Sequence, residues 1–241
     1  MNCFIEDFTE NNYKELLKKI KNTTIFFDEY QKMNKYVILR HDVDFSMHRA
    51  FALSKIEYNL GLKATYFVQL GSLFYNLFEH EIRELVSNIL GLGHQIGLHF
   101  DPTQYHISNI SDLNQHLVFE KSILENLFQT TIKAFSFHNP SSDILKYDDM
   151  AYVDMINAYA KYFKEHVAYC SDSNGYWRYK RLDSFLSECH DRVQILTHPA
   201  WWQRKEMKPR DRILKCIKGR YDSTIKKYDQ TLKDNGRINV K

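Results

Sequence analysis

With 241 residues, 44% of them hydrophobic and 26% charged, the chain has ordinary globular composition and enough length for one large core, which excludes a disordered or fibrous protein. A formal net charge of only +3, with Lys and Arg spread along the chain apart from a basic stretch over 205–227, gives no reason to expect nucleic-acid binding. No apolar run approaches the ~20 residues that a membrane-spanning helix needs.

The first residues, Met1 to Asp7, carry acids where an export signal would carry a basic region and an apolar run, so a soluble, cytoplasmic protein is expected. The four cysteines, Cys3, Cys170, Cys189 and Cys216, stand alone without a Cys-x-x-Cys pair and read as reduced thiols. Residues 2–30 predict one or two helices. From there, apolar runs of strand length at 36–44, 64–70, 94–100, 134–138, 166–171 and 193–198 alternate with stretches of helical spacing at 47–60, 77–90, 112–128, 148–164 and 182–189. Ser46, Ser111 and Asp183 mark helix starts, and Gly61 and Gly91 helix ends. A polar, basic helix over 209–234 closes the chain.

Such alternation demands parallel strands joined by helical crossovers, hence an α/β sheet or barrel. With no repeat and no linker, residues 1–241 read as a single domain, with 1–34 a helical cap and 205–241 a basic C-terminal helix. That helix either caps the barrel or docks on an anionic lipid surface or carrier.

The chemistry-bearing residues fall at strand ends: His41, Asp42 and Asp44; His99 and Asp101; His138; Asp172; His198. In parallel α/β folds these ends converge on one face. Imidazoles mixed with carboxylates, without cysteine, suit a catalytic Zn²⁺ or similar divalent ion with an open position. In Arg40-His41-Asp42-Val43-Asp44 the two carboxylates share one side of a strand, so one can bind metal while the other takes a proton from water. An amine leaving from an amide also needs a proton, which a strand-end histidine can supply.

Three segments, Arg40-His41-Asp42-Val43-Asp44, Gly93-His94-Gln95-Ile96-Gly97-Leu98-His99 and Leu196-Thr197-His198-Pro199, resemble in that order the motifs of the polysaccharide deacetylase, or NodB-like, family, over roughly residues 36–203. The resemblance implies an irregular (β/α) barrel with about six to seven parallel strands and flanking helices. It implies Asp42 as general base, Asp44 and His99 as metal ligands, His198 as the acid that protonates the amine, and Asp172 as the residue that orients that acid. One departure is plain: the family usually has a second metal-binding histidine four residues after the first, and here stands Thr103. His138, in Phe135-Ser136-Phe137-His138-Asn139-Pro140, where family members often carry an arginine near the base, is the expected replacement, with Asp101 and His106 as competitors.

Aromatic side chains near the motifs suit the apolar faces of sugars, so Trp177, Trp201 and Tyr176, with Asp101, are the expected substrate contacts, while Trp202 fits rim packing equally well. The expectation is a Zn²⁺-dependent hydrolase that removes an N-acyl group, acetyl above all, from an amino sugar in a nucleotide-linked or lipid-linked glycan precursor. Two alternatives stand beside it. One is a non-catalytic sugar-binding relative that lost turnover with the missing histidine. The other is an aspartyl-phosphate phosphatase using Asp42 and Asp44, which would also need a downstream Lys and an acidic pair where the later strand ends carry histidine.

Overall fold

The computed structural model describes residues 4–177 and 179–240. Cys3 and the start of the expected N-terminal cap lie outside the described residues, as does Lys241. The regular elements are α1 (Glu10–Leu17), β1 (Thr24–Ile25), β2 (Tyr36–Val43), α2 (Met47–Asn59), β3 (Thr65–Val68), α3 (His80–Gly91), β4 (Gln95–Phe100), α4 (Ile110–Phe128), β5 (Ala134–Phe137), β6 (Ala151–Tyr152), β7 (Met155–Asn157), α5 (Lys161–His166), β8 (Ala168–Ser171), α6 (Leu182–Leu186), β9 (Arg192–Thr197) and α7 (Pro209–Asp234).

All eight residues of β2 are buried, so this strand is covered on both faces, as an apolar parallel strand requires. The sheet runs β6-β7-β5-β4-β3-β2-β9-β8, with β1 beside the start of β2. Every pairing is parallel except the β6–β7 hairpin. The sheet curls into an open half-barrel with helices on its flanks. Strand alternation sorts the side chains. Val37, Leu39 and Val43 join the outer core with Leu53 of α2, Val86 of α3 and Leu117 of α4. Tyr36 and Ile38 turn inward and plug the barrel floor with Phe27, Phe67 and Phe163. The open end, where the strands finish, is left for polar residues.

The expected helix over 148–164 is replaced by the β6–β7 hairpin and the six-residue α5. Val153 and Asp154 take φ of 51° and 60°, the left-handed pair that a tight two-residue hairpin needs. No glycine marks this turn, so the sequence hides it. The amide of Asn157 stitches the loop by donating to the carbonyls of Tyr147 (2.9 Å) and Asp149 (3.2 Å). Residues 20–30 hold β1 and a 3-10 turn, Phe27–Glu29, in place of a second helix. His166 closes α5 and does not open β8. Asn109, two residues ahead of Ser111, caps α4 by accepting from the amides of Ser111 and Asp112. Helix α6 starts after Arg181, so Asp183 lies inside it.

The first half of α7 is anchored by Arg212, fully buried, which donates to the carbonyls of Gly175 and Ile5 at 3.1 Å each. Farther along, Tyr221, Ile225 and Tyr228 are exposed. No helix among the described residues is long and apolar enough to cross a membrane.

Two predictions follow from this packing. A Cβ at Gly97 would sit 2.5 Å from Cε1 of Phe67 and 3.0 Å from the carbonyl oxygen of Ala134. Overpacking of this kind costs about 1–3 kcal/mol, so Gly97→Ala is expected to lower the urea midpoint accordingly. Burial pushes the Glu120 carboxyl of α4 up to about 7, against the opposing effect of the Tyr105 hydroxyl, which donates to it at 2.6 Å. Because the folded state holds this proton more tightly, the stability it contributes is complete below about 4.5 and lost as the pH rises through about 7. Unfolding of Glu120→Gln, followed against pH, should be flatter than wild type across that window.

Candidate active site

Alternation on β2 places Arg40, Asp42 and, just past the strand, Asp44 on the inward face at the open end. Arg40 grips Asp42 bidentately, Nε donating to Oδ1 at 2.8 Å and Nη2 to Oδ2 at 2.7 Å, with both residues about 2% exposed or less. The guanidinium lies over the rings of Tyr159 (4.8 Å) and Phe67 (5.4 Å). Burial works to raise the Asp42 pKa, but the charge of Arg40 outweighs it and holds the carboxyl well below the usual range. Asp42 is therefore an ionised carboxylate in a dry setting.

His99, inward-facing on β4, is oriented by Ser136, whose Oγ lies 2.7 Å from Nδ1. Its Nε2 sits 3.1 Å from Asp44 Oδ1 and 3.7 Å from Asp42 Oδ2. The ring of His138, at the end of β5, stands 5.2 Å from that of His99 at 73°. One ligand atom each from Asp44, His99 and His138 falls within 4.8 Å of the others. Asp44 Oδ1 is buried, and its one charged neighbour is His99 Nε2 at 3.1 Å, with no well-formed hydrogen bond to it. Two imidazole nitrogens and a carboxylate oxygen are also the donor set of an open divalent-metal site, so these residues fit such an ion.

Of the competitors for the third place, Asp101 is committed elsewhere. Its Oδ1 accepts from the Thr103 amide (3.0 Å) and hydroxyl (2.7 Å), and its Oδ2 lies 3.4 Å from His138 Nδ1, while His138 Nε2 lies 2.9 Å from Asn139 Nδ2. His106 is exposed beside Ser108.

His198 follows β9, and its backbone N–H donates to both oxygens of Asp172 at 3.0 Å. Its Nδ1 lies 2.7 Å from Asp172 Oδ1, while Trp202 Nε1 donates to Oδ2 at 2.8 Å. Burial works to lower the His198 pKa, but Asp172 outweighs it and raises the imidazole to about 9. Nε2 then points toward Asp44 Oδ2 at 3.9 Å, carrying a proton at neutral pH.

Asp44, His138 and His198 open onto a cleft of about 610 Å³ whose walls include Phe45, Gln69, Asp101 and Trp201, while Asp42 and His99 are not among its lining residues. Trp177 is not among the lining residues. It is 5% exposed, stacked on Phe8 at 5.0 Å, and donates Nε1 to Asp7 at 2.8 Å, because its strand-end loop turns back onto the N-terminal segment. Tyr176 is half-buried and likewise outside the lining, and Trp202 is fully buried. His41 points to the outer face, 2.7 Å from Glu57 of α2 and from Thr197 Oγ1. Sequence reasoning passed over Arg40 and Ser136; the spacing of two between Arg40 and Asp42 was the available signal for the first, and nothing local marked the second.

No family model matches the chain, and no curated protein does. Among solved structures, the chain is similar to a CE4 family pseudoenzyme from Bacillus anthracis, at 13% identity and a TM-score of 0.46, over 79% of this chain and 62% of that one. It is similar to the peptidoglycan deacetylase PdaC from Bacillus subtilis, at 13% identity and 0.45, over 84% of this chain and 97% of that one. It is also similar to the chitin deacetylase from Colletotrichum lindemuthianum, at 12% identity and 0.43, over 76% and 81%. The chain spans less than two thirds of the length of the first of these.

Removing Arg40 would leave a buried carboxylate without its countercharge. Arg40→Met is expected to cost about 3–5 kcal/mol in urea unfolding at neutral pH, with part of the loss recovered in the double variant that also carries Asp42→Asn.

Proposed function

We propose that the protein is a metal-dependent hydrolase that removes an N-acyl group, acetyl in the simplest case, from an amino sugar of a glycan. The observation that carries this reading is the placement of an ionised carboxylate and a protonated imidazole around one cluster of metal-binding side chains. Asp42 lies 3.7 Å from His99, and His198 lies 3.9 Å from Asp44.

Asp44, His99 and His138 would hold the ion, Zn²⁺ being the best match to two imidazoles and a carboxylate. When bound, a divalent cation supplies positive charge that polarises a carbonyl and acidifies water. The chain supplies the rest. Asp42, kept ionised by Arg40, accepts a proton from the attacking water. His198, kept protonated by Asp172, gives a proton to the departing amine, without which an amide nitrogen cannot leave. Phe45 and Trp201 form an apolar wall suited to a sugar face, their rings 5.4 Å apart. The phosphatase alternative asks for a downstream Lys and an acidic pair at the later strand ends, where His99, His138 and His198 stand.

The test pairs metal content with turnover on N-acetylated chitooligosaccharides. Purified wild type should carry one divalent ion and release acetate. Asp42→Asn should keep the ion while turnover falls by about 10²- to 10⁴-fold, whereas His99→Ala should lose the ion. Full occupancy in His99→Ala would refute the site. A wild type that binds no metal and releases no acetate from any N-acetylated glycan would leave the non-catalytic sugar binder as the better account.

A further inference from the structure

Three residues lining the cleft carry a buried polar atom with no hydrogen-bond partner: Asp44 Oδ1, Gln69 Nε2 and Trp201 Nε1. The first belongs to the metal cluster. Gln69 is the informative one, because no role described so far uses it.

Its position follows from register. Val68 of β3 pairs with Val43 of β2 on one side and Leu98 of β4 on the other. Gln69, one residue on, stands level with Asp44 and His99, and alternation from Phe67 turns it to the same inward face. Gln69 thus occupies the middle of the row whose two ends would hold the ion. Its backbone is fixed: the Tyr75 hydroxyl accepts from the Gln69 N–H at 2.9 Å and donates to the Val43 carbonyl at 2.7 Å. The side chain, 6% exposed, is left with an unused donor. A leucine there would carry no such cost, since an unpaired buried amide is unfavourable. The terminal torsion of a glutamine is soft, so the amide can turn toward the cleft without backbone movement.

Resting on the hydrolase reading above, we propose that Gln69 is the hydrogen-bond donor to the acyl carbonyl of the substrate, and so the residue that distinguishes an acylated amino sugar from its free amine. Its place between Asp44 and His99 sets the donor beside the carbonyl that the reaction must polarise. A neutral amide donor suits an uncharged oxygen and repels neither sugar nor acyl group.

The experiment is a cycle of residue against ligand. Turnover is silenced with Asp42→Asn, the protein is loaded with Zn²⁺, and binding of tetra-N-acetylchitotetraose and of fully deacetylated chitotetraose is measured by calorimetry with and without Gln69→Ala. The expected result is about 3- to 10-fold weaker binding of the acetylated sugar alone, with Zn²⁺ content unchanged. Equal weakening for both sugars, no weakening, or loss of Zn²⁺ would overturn the proposal. In an otherwise wild-type chain, the same substitution should lower kcat/KM for acetate release by a similar factor or more, and an unchanged kcat/KM would also overturn it. If the parent binds neither sugar and wild type turns over no N-acetylated glycan, the hydrolase reading itself fails, a result distinct from a working enzyme indifferent to residue 69.

Discussion

A guanidinium and a carboxylate two residues apart on one buried strand set the conditions for the rest of this structure. Arg40 and Asp42 could not both sit inside the half-barrel as unpaired charges, since each would bear a desolvation cost of several kcal/mol. Paired bidentately and backed by aromatic rings, they place a permanent negative charge beside His99. The same pairing leaves Asp42 poor as a resting metal ligand, because its oxygens already accept from Arg40. Asp44, whose Oδ1 faces His99 Nε2 at 3.1 Å, is the carboxylate proposed to hold an ion. Two acids of one motif thus acquire different chemistry from their neighbours alone.

The opposite side of the cleft repeats the logic with the sign reversed. Asp172, fully buried, is surrounded by donors: the His198 amide, the His198 ring and the Trp202 indole. The imidazole it holds retains its proton to about 9. A carboxylate that stays charged and an imidazole that stays protonated can coexist because each is governed by its own buried partner, Arg40 or Asp172.

Behind the sheet, another buried carboxylate fixes the frame. Glu57 of α2 accepts from the hydroxyls of Tyr13 (2.5 Å) and Tyr66 (2.6 Å) and lies 2.7 Å from His41. His41 also meets Thr197, the residue before His198. This network ties α1, α2, β2, β3 and β9 together, so the strand ends that carry Asp42 and His198 share one set of buried contacts.

Much of this was legible from residue order. Apolar runs separated by helical spacing forced a parallel α/β sheet, because parallel neighbours need long crossovers, and strand ends in such a sheet gather on one face. That argument put Asp42, Asp44, His99, His138 and His198 in one neighbourhood, and the two-residue period put Asp42 and Asp44 on one side of β2. What a sequence does not encode locally is which groups meet across strands. Arg40 neutralising Asp42, Asp101 bound to its own turn, Ser136 orienting His99, and Trp177 folded onto Phe8 and Asp7 depend on the curl of the sheet and on the N-terminal segment packing against a loop some 170 residues away. The β6–β7 hairpin was hidden for a related reason: Val153 and Asp154 adopt left-handed backbone only because pairing on the sheet edge compensates for it. Period and spacing thus fixed which residues could share the site, and tertiary packing alone decided the charge, orientation and partners that each of them has there.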